Sequence, residues 1–281
     1  MASVSEREQG QIDKANSSGR TPVVFIHGLW LIPSSWDNWV KFFEDDGYAG
    51  ITPSWPGDPD GSIEEARANP DGFAGTKLKE VADHTAEVIA RLDKKPAVMG
   101  HSTGGLLTFL IADRGLSAVS VAIDPGPFRG VLPLPYSTIK VSAPILRNPL
   151  NRGRAITLTF DQFKYGWANA LDDDEAKQLY ETYHVAAPGG VLMQMANANL
   201  NPFTEAKVDT KNPERGPLMI IEGDDDHTVH PAIAKAAYKR HRRNEGVTEL
   251  KTIPNRGHAL TIDSGWREVA QTALDFVKRF A

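Results

Sequence analysis

Apolar positions along this chain switch repeatedly between two periods. Pro22-Val23-Val24-Phe25-Ile26 is a continuous β-branched and aromatic run, the pattern of a strand buried on both faces. Behind Pro33-Ser34-Ser35, a helix start signal, Trp36, Trp39, Val40 and Phe43 recur at helical spacing, and Gly47 stops them. Tyr48 to Thr52 reads as a short strand. Leu78, Val81, Val88, Ile89 and Leu92 form one helical face. Pro96 to Met99 is a strand, Leu106 to Ala112 an apolar helix, and Ala118 to Ile123 a strand. After a gap the alternation returns with strand Leu218 to Ile221, helix Pro231 to Arg243 and strand Glu249 to Ile253. A last helix then carries Trp266, Val269, Ala270, Ala273, Val277 and Phe280 on one stripe. Repeated strand–helix units predict an α/β fold, a parallel sheet covered by helices on both faces.

The gap, 126–212, shows no obvious strand, several prolines and one clear helix around Phe160 to Tyr183. A structureless loop of that length is rare inside a compact domain, so the stretch reads as an inserted helical cap. The predicted organisation is a polar, loose tail over 1–20, a core over 21–125 and 213–281, and the cap over 126–212.

Composition narrows the function. Apolar residues make up 41% and charged residues 24% of 281, which fits a soluble globular chain. The net charge of −5 argues against a nucleic-acid or anionic-membrane binder, which would usually be basic. There are no cysteines, so disulfides and thiolate chemistry are excluded. The first 20 residues lack a signal-peptide core. The longest apolar stretch, Pro22 to Pro33, is too short to span a bilayer. A cytoplasmic protein is expected.

In a parallel sheet, ligands bind beyond the carboxyl ends of the strands. After the strand ending at Met99 comes Gly100-His101-Ser102-Thr103-Gly104-Gly105, leading into a helix. This is a G-x-S-x-G elbow in its required strand–turn–helix context, with Ser102 as nucleophile. An oxyanion hole needs two N–H donors: one from Thr103, after the nucleophile, and one from the loop His27-Gly28-Leu29-Trp30, with Leu29 favoured over Trp30. His27 itself reads as a residue that holds its loop in shape. The strand ending at Ile221 is followed by Asp224-Asp225-Asp226, three competing carboxylates, and Asp124 is an outside candidate by the same strand-end logic. His227 and His230 nearby lack a third ligand and make a weak metal site. Of the eight histidines, only His258 lies on a strand-end loop after both a serine and a carboxylate. His84 and His241 fall on helices, His184 in the cap, and His101 on the tight turn.

With these residues in hand, the chain resembles the α/β-hydrolase superfamily over roughly 21–281, in particular small serine hydrolases with a helical cap. The elbow is similar to that of bacterial cofactor-free haloperoxidases and related esterases. Gly223 to Val229 resembles the family's acid loop, in which the carboxylate directly precedes His-Thr-Val. That resemblance implies that Asp226 is the triad acid, and Gly257-His258 matches the histidine loop. The family often opens with an antiparallel hairpin. The polar N-terminus here leaves little room for one, so about six strands are expected, all parallel. The first loop lacks the extra glycines of lipase-type oxyanion loops, which argues against a true lipase, and Ser102 disfavours relatives with an aspartate nucleophile.

The implied function is hydrolysis of a small, fairly apolar ester or lactone through an acyl-enzyme, with no cofactor, no metal and a small-molecule substrate as partner. Perhydrolysis and carbon–carbon bond hydrolysis of a diketone would use the same residues. A non-enzymatic alternative is a ligand receptor on the same fold. The expected pocket residues are Trp30, His101, Phe128, Leu132, Tyr136, Phe163 and Trp167. Most apolar residues of the cap should form its own core. Arg147, Arg152 and Arg154 are expected to be solvated.

Overall fold

The computed structural model describes residues 3–59 and 62–281. In chain order the elements are α1 (Glu6–Ser18), β1 (Pro22–Ile26), α2 (Asp37–Asp45), β2 (Ala49–Ile51), α3 (Ile63–Ala68), α4 (Leu78–Ala90), β3 (Ala97–His101), α5 (Thr103–Asp113) and β4 (Val119–Ile123). Next come α6 (Tyr136–Leu146), β5 (Ala155–Ile156), α7 (Phe160–Gly166), α8 (Asp173–Tyr183), β6 (Ala187–Pro188) and α9 (Gly189–Ala196). The chain closes with β7 (Leu218–Gly223), α10 (Pro231–His241), β8 (Thr248–Ile253) and α11 (Trp266–Val277).

Six strands form one sheet in the order β2-β1-β3-β4-β7-β8, every pair parallel. This is the α/β-hydrolase fold, with the six parallel strands expected. The strands alternate their side chains between two cores. Val23 and Phe25 of β1, with Ala97 and Met99 of β3, face α2 and α11. Val24 and Ile26, with Val98, face α1, α4, α5 and α10. Burial on both faces explains the uninterrupted apolar runs. On the α2 side, Phe25, Trp36, Trp39 and Phe43 interlock with ring centroids 5.1–6.5 Å apart. Trp39 Nε1 donates to the Thr261 carbonyl at 2.8 Å, which ties this cluster to the loop after β8.

The strand order reverses its direction of growth at β1. The chain steps outward to β2, then crosses back over β1 to β3. A crevice therefore opens between the carboxyl ends of β1 and β3, the ligand position of open α/β sheets.

Three parts of the sequence reading change. The expected loose tail is largely the helix α1; its residues 1 and 2 lie outside the described residues. Ser5 and Glu8 form a reciprocal capping box, Ile12 and Ala15 are buried, and Glu8 Oε1 lies 2.8 Å from His84 Nε2 in α4. The single helix expected around Phe160 to Tyr183 is two helices, α7 and α8, each started by a side-chain cap, Thr159 and Asp172. The stretch 126–212, read as strandless, holds the short antiparallel pair β5–β6. Among the described residues, no helix is long and apolar enough to cross a membrane.

Two buried histidines link stability to pH. Burial first, and the nearby Arg67 second, push the His184 pKa down to about 4. Its Nε2 accepts from the Leu158 backbone N–H at 3.2 Å, which requires the neutral ring. Burial, then Arg215 and Arg240, push His241 down to about 3. The unfolded chain protonates both near pH 6.5, whereas the folded chain does not until about pH 4 and 3. Acidification therefore favours unfolding, by roughly 2 kcal/mol per group between pH 6.5 and 5. Asp263, raised to about 6 chiefly by burial, and Asp124, raised likewise, act in the opposite sense, because the folded chain protonates them before the unfolded one does. The histidine contribution is therefore read as a difference: between pH 6.5 and 5, the Tm of His241→Leu, which removes a ring without hydrogen-bond partners, should rise relative to that of the unmodified chain as pH falls. An identical pH dependence in thermal unfolding scans of the two proteins refutes the linkage.

Candidate active site

The turn from β3 into α5 places one side chain at an unusual backbone angle. Ser102 has φ 59° and ψ −118°, a conformation that L-residues adopt only when the surroundings enforce it. The enforcement comes from close backbone packing. A Cβ on Gly100 would lie 2.1 Å from the Gly104 carbonyl oxygen, and one on Gly104 would lie 2.0 Å from the Ile26 carbonyl oxygen. Neither backbone atom can retreat. The Ser102 N–H donates to Ile123 O at 2.9 Å, fixing the turn to β4. Its hydroxyl makes no capping bond to α5 and is free to project from the turn.

That hydroxyl meets His258. Ser102 Oγ lies 2.9 Å from His258 Nε2, and His258 Nδ1 lies 2.6 Å from Asp226 Oδ2. A carboxylate only accepts, so Nδ1 carries the proton and Nε2 is left as the acceptor for the serine hydroxyl. Asp226 Oδ1 accepts from the N–H groups of Thr228 at 2.6 Å and Val229 at 2.9 Å. His258 and Asp226 are both buried, and Ser102 is only slightly exposed.

Two loops hold this geometry as a unit. The Asp224 N–H donates to Ile253 O, the Asp225 N–H donates to Arg256 O, and Asp224 Oδ1 accepts from the Asn255 N–H at 2.6 Å. Trp167, at the end of α7, seals the imidazole from above. Its ring stands edge-on to His258 at 4.6 Å, and its carbonyl accepts from the Ala259 N–H.

The competing carboxylates separate by environment. Asp224 and Asp225 are exposed, whereas Asp226 is buried against the ring. Asp124 is also buried, and its Oδ1 accepts from the Gly223 N–H at 2.9 Å. Burial first, and the neighbouring Asp226 second, push its carboxyl well above the usual range.

Neither the Leu29 nor the Thr103 backbone N–H donates to any acceptor among the described residues, and both residues line the cavity that contains Ser102. The neighbouring Trp30 sits at φ 64°, and its indole is fixed by a bond to Ile156 O at 3.0 Å. His27 is bonded on both sides, to Gly28 O and Asp58 Oδ2, each at 2.9 Å, and stacks on Trp55.

The cavity has a volume of about 410 Å³ and a mostly apolar wall. Of the seven expected pocket residues, the structure brings only Trp30 to it. His101 lies behind the site, fully buried with its ring 4.6 Å from that of His258. Phe128 packs into the core against Phe109 and His241, and Phe163 stacks on Trp167. Trp167 backs the histidine instead of lining the cavity, while Leu132 and Tyr136 point into solvent. The wall comes from α6 and α9, through residues such as Ile139, Leu146, Leu192 and Met195. Ile139, Ser142 and Leu146 share one helical face at three- and four-residue spacing, a signal that Pro144 inside the helix obscures.

His227 and His230 do not converge. One ring bonds Tyr165 O, and the other caps α10 by accepting from Ala232 N–H. Among the described residues the one grouping with metal-ligand spacing is His101, Asp124 and His258, and His258 already gives both ring nitrogens to Asp226 and Ser102.

A family model described as the Alpha/beta hydrolase family matches residues 23–272. No relative among curated proteins matches the chain. Many solved structures do. A monoacylglycerol lipase from Paleococcus ferrophilus superposes with a TM-score of 0.65 at 18% identity, over 92% of this chain and 95% of that one. BpoC of Mycobacterium tuberculosis H37Rv, described as a candidate non-heme bromoperoxidase, gives 0.65 at 17% identity over 93% of each chain. A thermophilic esterase from Thermogutta terrifontis gives 0.61 at 16% identity, over 92% of this chain and 90% of that one. At such identities the likeness concerns the fold.

The elbow's glycines can be tested directly. Gly104→Ala should destabilise the protein by about 3 kcal/mol or more, or prevent folding, because only backbone lies in the way. Gly10→Ala, on an open face of α1 with nothing near its Cβ, should stabilise by up to ~1 kcal/mol. Urea unfolding of both variants would expose an error if Gly104→Ala proved neutral.

Proposed function

Because the chain belongs to the alpha/beta hydrolase family, we propose that it is a serine hydrolase that cleaves a small, fairly apolar carboxylic ester or lactone through an acyl-enzyme. The observation that carries this reading is the hydrogen-bonded series Ser102–His258–Asp226, opening into an apolar cavity beside two undirected N–H groups. Residues 21–125 and 213–281 serve as the hydrolase core, and 126–212 as the cap that shapes the cavity.

Ser102 Oγ attacks the carbonyl carbon while its proton passes to His258 Nε2. The carbonyl oxygen gains the negative charge and takes hydrogen bonds from the Leu29 and Thr103 N–H groups, each worth about 2.7–4 kcal/mol in the transition state. α5 begins at Thr103, so its positive end adds to this field. His258 then gives its proton to the leaving alkoxide, and the alcohol departs. Water enters, loses a proton to Nε2 and attacks the acyl carbon. Ser102 leaves with that proton, and the acid is released. Asp226 keeps the ring in the productive tautomer and stabilises the imidazolium.

Ser102→Ala should lower kcat for p-nitrophenyl acetate by about 10⁴-fold or more, with the circular dichroism spectrum unchanged, and should abolish labelling by a fluorophosphonate. Asp226→Asn should cost on the order of 10⁴-fold through the wrong tautomer. Unchanged turnover in Ser102→Ala would end the proposal.

The cavity wall predicts chain-length selectivity. Ala143 on α6 lines the cavity, and Ala143→Phe would fill part of it. The variant should lose about tenfold or more in kcat/KM for p-nitrophenyl octanoate relative to the acetate. An equal effect on both esters would mean that the acyl chain lies elsewhere.

A further inference from the structure

The net charge of −5 conceals an uneven distribution. From Pro125 to Phe160 the chain holds five cations, Arg129, Lys140, Arg147, Arg152 and Arg154, and no acidic residue. Lys140, Arg147, Arg152 and Arg154 are exposed, and none of them pairs with a carboxylate among the described residues. The same stretch exposes large apolar side chains: Leu132 at 71%, Leu134 at 76%, Tyr136 at 78% and Leu150 at 64%. Leu134, Ile139 and Arg147 also form part of the wall of the Ser102 cavity. The neighbouring loop after α9 adds Leu200 and Phe203, exposed at 82% and 90%. Asn199 ties that loop to the stretch by accepting from the Gly130 N–H and donating to Val131 O.

A monomeric protein rarely leaves so many large apolar groups in water on one surface. Here Leu134 and Ile139 edge the cavity, the others belong to the same stretch or to the loop tied to it, and all are interleaved with cations that pair with no carboxylate among the described residues. We propose that this face docks on an anionic phospholipid bilayer, with Leu132, Leu134 and Tyr136 entering the acyl boundary and the arginines contacting phosphate headgroups. A second copy is a poorer occupant, because a two-fold contact would set the same cations against each other. The acidity of the whole chain, which argues against such a surface, averages over a molecule whose stretch 125–160 holds no acid; beside it, Glu205 lines a groove with Arg152 and Phe203. Docked in this way, the cavity would open onto lipid, and an apolar ester could reach Ser102 without crossing water. The docking itself is independent of the chemistry; only the delivery of an ester rests on the function proposed above.

The test is co-sedimentation of the full-length Ser102→Ala protein, which leaves the lipid intact. The vesicles are phosphatidylcholine alone, or equal parts phosphatidylcholine and phosphatidylglycerol. Binding should appear with the mixed vesicles at low salt, and should weaken about tenfold or more without the anionic lipid or at high salt. Arg152→Glu/Arg154→Glu and Leu132→Ser/Tyr136→Ser should each lower it by a similar factor, with circular dichroism confirming the fold. No binding at any salt, or equal binding to both vesicles, overturns the proposal. So does a dimer in sedimentation velocity that Leu132→Ser/Tyr136→Ser dissolves. Ester turnover by the unmodified chain without vesicle binding would refute the docking alone, and binding without turnover would refute only the hydrolase reading.

Discussion

One residue has to end a strand, start a helix and leave its side chain uncommitted, and the architecture around Ser102 answers that demand. A φ of 59° is unfavourable for serine, so the turn exists only because β3, α5 and β1 approach more closely than any Cβ at positions 100 and 104 would allow. Sheet order supplies the rest. With growth reversing at β1, the loops after β1 and β3 lie side by side, and Leu29 and Thr103 line the same cavity as Ser102. The strain at one residue is thus held in place by the packing of the whole sheet.

The second requirement is charge control in a dry interior. Asp226 is stabilised by three hydrogen bonds, from the imidazole and two backbone N–H groups. Asp124 stands close by, its carboxyl pushed well above the usual range by burial first and by Asp226 second. His101, against the same imidazole, is likewise held well below the ordinary imidazole range, by burial first and by His258 second. Burial thus disfavours the charged forms of both Asp124 and His101, the two titratable neighbours of the Asp226–His258 pair. The field that His258 experiences is set mainly by one carboxylate.

Much of this was legible in the sequence, and the exceptions have physical causes. The strands show because both faces are buried, which leaves β-branched runs with no polar interruption. The elbow shows because only glycine fits where backbone meets backbone. The loops that carry Asp226 and His258 show by their place after strands, but only the family resemblance singled out Asp226 among its neighbours, because the burial that separates it from Asp224 and Asp225 is a tertiary property. α1 was hidden because its buried stripe is little more than Ile12 and Ala15, and its anchor is the Glu8–His84 pair, which leaves no apolar periodicity. The cavity wall was hidden because it arises where α6 and α9 meet, a tertiary event. The large aromatics Phe128, Phe163 and Trp167 looked suited to a ligand, but their size favours full burial, and they brace the site from behind.

The cross-links between the loops at 224–226 and 255–258 divide the site into two mechanical bodies. Carboxylate and imidazole ride together on one, stitched by backbone hydrogen bonds, while the alcohol stands on the other, anchored to β3 and β4. The 2.9 Å contact between Nε2 and Oγ spans the two, beside the β4–β7 ladder and the Gly223–Asp124 bond. A displacement of one loop against the other would alter that contact and leave the Asp226–His258 bond, and with it the ring tautomer, intact.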